Sequence, residues 1–163
     1  MAEENKNEPA RTWAMLCHLS SLLWIPLSLF PILLIGLPIP LIFLNILGPL
    51  IIWLLKKKQH PSIDTHGKES LNFQITMLLY SLVIGVVLLL GVGSCWLGFS
   101  TNSNATLAFV GLGLIIAGVG LAILGGLMGL LVWLGHLFLT LFASFKAKKS
   151  EFYRYPYTIR LLR

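Results

Sequence analysis

Residues 13–55, 71–93 and 107–145 contain no lysine, arginine, aspartate or glutamate. Charge-free tracts of that length, in a chain of 163 residues, leave few folds open. A water-soluble domain of this size has too little interior to hide so much apolar surface, so hydrocarbon must solvate most of it. Composition agrees: 56% of residues are hydrophobic, 11% are charged, and the mean hydropathy is +0.85. The chain reads as an all-α integral membrane protein.

A helix crosses the hydrocarbon core with about 20 residues, which suits a single crossing over residues 66–93. Tract 13–55 is about twice the required length and is interrupted by Gly36, Pro38 and Pro40. Those residues end helices and favour turns, so the tract predicts a hairpin of helices over 13–35 and 41–55. Gly48-Pro49 marks the second of these for a kink or tilt. Tract 107–145 is overlong, because a straight helix would extend about 60 Å at 1.5 Å per residue. It either crosses once, bent or partly re-entrant, or crosses twice with a break near 125–126.

Charge decides between the two. Lys56, Lys57 and Lys58, the cluster at Lys146, Lys148 and Lys149, and the tail arginines mark a cytoplasmic side, whereas loop 94–106 carries no charge. A four-helix transmembrane bundle with both termini cytoplasmic follows, comprising a membrane domain over 13–145 and a basic aromatic tail over 146–163. Residues 1–12 are acidic and polar where a cleaved signal would be basic, and they read as a flexible arm. The formal net charge of +6 sits at tract ends and serves anionic headgroups rather than nucleic acid. Cys17 and Cys95 have no metal-binding or disulfide spacing and read as small packing residues.

Polar groups inside a bilayer need partners. His18 and Ser21 share one helical face; Asn72, Thr76 and Tyr80 share another, and His136, Thr140 and Ser144 a third. These stripes form either interhelical hydrogen bonds or a polar cavity open to the cytoplasm, and the bonds are the preferred reading. Gly111, Gly118 and Gly125 recur every seven residues, Gly118, Ala122 and Gly126 every four, and Gly125 with Gly129 gives one GxxxG. Such small-residue lines let helices approach closely, within one chain before between two.

The segment His60-Pro-Ser-Ile-Asp64-Thr-His66-Gly-Lys68-Glu69 concentrates titratable groups between apolar tracts. Its spacing matches no closed or catalytic zinc site, and neither a nucleophile triad nor a nucleotide-binding loop accompanies it. It reads as a cytoplasmic elbow, with Asp64 or Thr65 capping the next helix. No catalytic residue, metal site or cofactor is expected. In the tail, Tyr153, Tyr155, Tyr157, Ile159 and Leu161 alternate with Arg154, Pro156, Thr158 and Arg160. This period of two predicts an extended interfacial strip lying on the membrane surface or against the elbow.

The segments RTWAMLCHLSSLL, LGPLIIWLLKKKQHPSIDTHGKESLNFQITMLLYSL and EFYRYPYTIRLLR, in this order, resemble the bacterial Tic-twenty-like family of small membrane proteins. That family is in turn similar to the channel-forming subunit of the chloroplast inner-envelope import machinery. The resemblance implies a four-helix membrane domain with cytoplasmic termini. It points to a bacterial inner membrane, or an organellar membrane of bacterial descent. The expected role is a non-enzymatic scaffold or accessory subunit in protein insertion, translocation or complex assembly. Its partners would be the lipid bilayer and either other membrane proteins or further copies of itself. The alternative is a small channel or transporter lined by the polar stripes.

Overall fold

The computed structural model describes residues 2–23, 25–27, 44–101 and 104–162. Every regular element among them is helical: α1 (Ala2–Leu19) running into a 3-10 turn (Ser20–Leu22), α2 (Leu44–Lys56), α3 (Pro61–Ser100) and α4 (Ala105–Lys148). The turn expected at residues 36–40, with the flanking residues 28–35 and 41–43 of the first predicted hairpin, lies outside the described residues.

The boundaries differ from the sequence expectations in ways that side chains explain. Helix α1 begins at Ala2 and takes in residues expected to form an arm. Helix α3 begins at Pro61, not at 66, and is capped by His60, whose Nδ1 accepts the Ser62 N–H at 3.2 Å. Proline at the first helical position lacks only an N–H that the helix would leave unpaired. Asp64 and Thr65 therefore sit inside the first turns rather than at the cap. At its other end α3 continues through most of the predicted loop 94–106. Ser94 bonds the Leu90 carbonyl (2.8 Å), and Ser100 bonds the Leu97 carbonyl (2.9 Å). Polar side chains so engaged do not end a helix. Asn104 then opens α4 by accepting the Leu107 N–H through Oδ1, the usual N-cap arrangement.

Helix α4 runs unbroken through Gly125-Gly126. Interrupting it in hydrocarbon would leave backbone groups without partners, a larger cost than glycine's poor helix propensity. Helices α3 and α4 have 40 and 44 residues, about 60 and 66 Å at 1.5 Å per residue. Their most apolar stretches reach a mean hydropathy of 2.6 and are only 17% and 11% buried. The core helix of a soluble protein would be largely covered, so these surfaces belong against lipid. The chain is a membrane protein with two helices long and apolar enough to cross.

Two compact units divide the chain. One is Leu79–Gly135, an apolar antiparallel hairpin made from the adjoining ends of α3 and α4. Its helices touch backbone to backbone. A Cβ on Gly118 would lie 2.6 Å from both the Gly91 carbonyl oxygen and Cys95 Sγ, and one on Gly98 would lie 2.5 Å from the Gly111 oxygen. Gly125 packs under Leu88, and Gly91 approaches Ala122 N, whereas Gly126 meets nothing within 4 Å and Gly129 has only Ile84, at 3.7 Å. The heptad glycines thus carry the contact, and of the four-residue line Gly118 and Ala122 join it while Gly126 does not.

The other unit comprises Met1–Leu78 and His136–Arg163. Here α2 packs on α1 and on the 3-10 turn. Gly48 sits so close that an added Cβ would fall 2.5 Å from the Ser20 oxygen.

Candidate functional site

The elbow is fastened by Trp53 of α2. Its indole lies over Gly67, where an added Cβ would come within 2.3 Å of Cδ1, and its Nε1 donates to Asp64 Oδ1 at 2.8 Å. Asp64 also pairs with Lys68 at 2.7 Å, and Lys57 stands 4.2 Å over the Trp53 ring. The Trp53–Asp64 hydrogen bond and the seat of the indole on Gly67 hold the end of α2 against α3. The charges of the elbow therefore pair with neighbours. Among the described residues no group of three or more His, Cys, Asp or Glu side chains could hold a metal ion.

Above the elbow the unit has a polar interior. Cys17, His18 and Ser21 of α1 and its turn, Ser70, Asn72, Gln74 and Thr76 of α3, and Thr140 and Ser144 of α4 are all buried. Ser70 donates to the Cys17 carbonyl (2.9 Å) and ties α1 to α3. His136 Nε2 donates to Gln74 Oε1 (2.9 Å), joining α4 to α3. Ser21 and Ser144 return their hydroxyls to the carbonyls of His18 and Thr140. Buried polar groups without water must find such partners.

The tail completes this interior. Its Tyr155, 1% exposed, stacks on Phe73 with ring centroids 3.8 Å apart and planes 6° apart. The Tyr155 N–H donates to Glu69 Oε1 (2.8 Å), and its hydroxyl meets His18 Nδ1 at 3.0 Å. His18 Nε2 in turn meets His66 Nδ1 at 3.2 Å. One set of neutral tautomers satisfies the whole row: Tyr155 donates to His18, and His18 donates to His66. Further along, Asn72 Oδ1 accepts the Leu161 and Leu162 N–H groups (3.0 and 2.9 Å), while its Nδ2 donates to the Leu162 carbonyl (2.9 Å). Thr76 Oγ1 accepts the Ile159 N–H at 3.0 Å and donates to the Asn72 carbonyl.

The tail lies against the end of the elbow, where Tyr155 bonds Glu69 and the Phe152 ring stands 5.6 Å from that of His66, and it continues along α3 to Thr76. Its alternation lapses after Tyr155, because Tyr157 takes φ 54° and leaves its ring 90% exposed. Arg154 and Arg160 remain exposed, and Tyr153 packs edge-on against Tyr155 and Phe142. Burial raises the Tyr155 and Tyr153 phenols above their ordinary value. The hydrogen bond and charge of Lys146 hold the Glu151 carboxyl below the usual carboxylate range.

The polar stripes thus meet in different ways. His18 joins His66 and Tyr155, Asn72 and Thr76 join the tail backbone, and His136 joins Gln74. Tyr80 lies at 38% exposure, beyond the interior. Sequence reasoning passed over Gln74 and Ser70. Gln74 is polar inside an apolar tract and Ser70 borders it, but neither falls on the Asn72–Thr76 face.

Residues 9–162 match the model of the MamF/MmsF family, described as the magnetosome magnetite crystal formation protein family. No curated protein and no solved structure matches the chain. The family match takes in elbow, hairpin and tail together, and it overturns the Tic-twenty-like assignment, which rested on three separate segments. Those segments are the ones that pack on one another here. The expected role in protein transport falls with that assignment.

Proposed function

The chain belongs to the magnetosome magnetite crystal formation protein family, and from that membership we propose that it is a non-enzymatic accessory protein of the magnetosome membrane. It takes part in crystal formation by organising other membrane components, not by holding iron in a site of its own. The observation that carries this reading is the family match, which omits only the first eight residues and the last one. The interior is consistent with it: His18, His66, Glu69 and Tyr155 bond one another or backbone, and His136 bonds Gln74.

The magnetosome membrane derives from the inner membrane. In it, the basic elbow and tail would face the cytoplasm and the uncharged sequence 101–104 the lumen. Four crossings, with both termini cytoplasmic, fit that arrangement. The channel or transporter alternative has less support. It needs His18, Asn72 and His136 to line a path, and each is buried and bonded within the protein.

Deletion of the gene and imaging of the crystals test the proposal. Crystals should become smaller or irregular, and wild-type protein should restore them. Unchanged crystal number, size and shape in the deletion strain would overturn it. Pull-down in mild detergent should recover further magnetosome membrane proteins. Iron or proton flux into protein-containing vesicles above that into empty ones would favour the transporter instead.

A further inference from the structure

A cleft of about 530 Å³ opens between α3 and the docked tail, with Lys68, Glu69, Phe152, Arg154, Arg160 and Leu162 in its wall. This volume falls in the range of small-molecule sites. The polar groups of the wall are unequally engaged. The Glu69 carboxylate accepts the Tyr155 N–H and is 6% exposed. The Asn72 amide is bonded to the tail, and the Thr65 hydroxyl donates to the Pro61 carbonyl. Lys68 shares its charge with Asp64. Arg154 and Arg160, by contrast, have no hydrogen-bond or ion-pair partner among the described residues, and both line the cleft and are exposed.

Two free guanidinium groups, reinforced by a partly neutralised lysine, make a strongly cationic mouth. Guanidinium forks match the oxygens of phosphate two at a time and are weakly hydrated, so they release water readily on pairing. Phe152 and Leu162 supply an apolar wall beside them. A bare inorganic anion would leave that wall uncovered, whereas a phosphate carried on an apolar body would cover it.

We propose that this cleft binds a phosphate-bearing molecule through Arg154 and Arg160. The phosphate comes either from an anionic phospholipid headgroup or from free phosphate. The site is independent of the proposed role in crystal formation, and neither reading requires the other.

Purified full-length protein in an uncharged detergent provides the test, at constant ionic strength. Thermal unfolding and equilibrium binding are followed with inorganic phosphate, with short-chain phosphatidylglycerol, and with short-chain phosphatidylcholine as the zwitterionic control. Phosphatidylglycerol should raise the melting temperature and bind saturably. R154Q/R160Q should weaken that binding by about tenfold or more per arginine, since a hydrogen bond to a charged group is worth about one such factor. K57Q/K58Q, on the elbow outside the cleft, should bind like the wild type. Saturable binding of inorganic phosphate that is equally lost in R154Q/R160Q assigns the site to free phosphate. Binding of phosphatidylglycerol alone assigns it to the headgroup. No saturable binding of either, or undiminished binding by R154Q/R160Q, overturns the proposal. If R154Q/R160Q melts early without ligand, R160Q and R154K/R160K give the same reading, with R154K/R160K keeping charge while losing the two-oxygen fork.

Discussion

Asn72 holds the end of the tail with one side chain. Both of its polar atoms are used, three bonds in all run to the backbone of Leu161 and Leu162, and the residue is 1% exposed. Asn72→Ala removes those bonds and leaves two backbone N–H groups to find water. A loss of about 1–3 kcal/mol is expected. Hydrogen–deuterium exchange should show the residue 159–162 amides losing protection while α4 keeps its own. Unchanged tail protection would contradict the anchoring role. Tyr155 binds the other end in two separable ways. Tyr155→Phe retains the stack on Phe73 but loses the hydroxyl bond to His18, a cost of about 1 kcal/mol. Tyr155→Ala loses both and should cost about 3–5 kcal/mol. The phenol also sets a pH dependence. Burial raises its folded pKa above the ordinary 10.0, so the unfolded chain releases its proton first. Stability from this group is therefore complete below pH 10 and declines as pH rises beyond it. Melting temperatures from pH 9 to 11 should fall more steeply for the wild type than for Tyr155→Phe. Parallel curves would show that the phenol does not titrate with unfolding.

At the scale of elements, two glycines of α4 two positions apart should respond in opposite senses. Gly118→Ala pushes a methyl into the Gly91 carbonyl and Cys95, both 2.6 Å from the new atom, and neither backbone can yield without separating the helices. Overpacking of this kind costs about 1–3 kcal/mol. Gly120 has nothing within 4 Å, so Gly120→Ala should be neutral or gain up to about 1 kcal/mol from helix propensity. Unfolding in detergent compares them directly, and equal effects would mean the close approach is absent. The heptad of Gly111, Gly118 and Gly125 was legible in the sequence because small-residue spacing and helix geometry are both periodic. The ends of α3 were not. Ser94 and Ser100 look like loop residues, yet each bonds a carbonyl three or four positions back and stays helical. The site was half legible for a similar reason. The stripe of Asn72 and Thr76 announces a need for partners, but their partners are backbone groups of a distant segment, which carry no sequence signature. Side-chain partners such as Gln74 for His136 were visible in principle and hidden by the preference for one face.

For the whole molecule, the charge distribution makes one orientation easier than its reverse. The described spans carry no formal charge from Leu71 through Phe145, while Lys56, Lys57, Lys58, Lys146, Lys148 and Lys149 stand just outside the apolar tracts. Moving those ammonium groups across a bilayer during insertion is costly, and the cytoplasmic leaflet attracts them. The tail docks on α3 beside Glu69 and Asn72, so elbow and tail must lie on the same side of the membrane whichever way the hairpin inserts. That coupling gives a two-sided test in intact magnetosomes treated with protease from the cytoplasmic face. An epitope fused after residue 163 should be digested, and one inserted after Thr101 should survive until detergent opens the membrane. Digestion of the inserted epitope with protection of the fused one would reverse the orientation and leave the docked tail intact. Digestion of both before detergent is added would mean that the hairpin does not cross at all, and the lipid-facing reading of its exposed leucines and phenylalanines would fail with it.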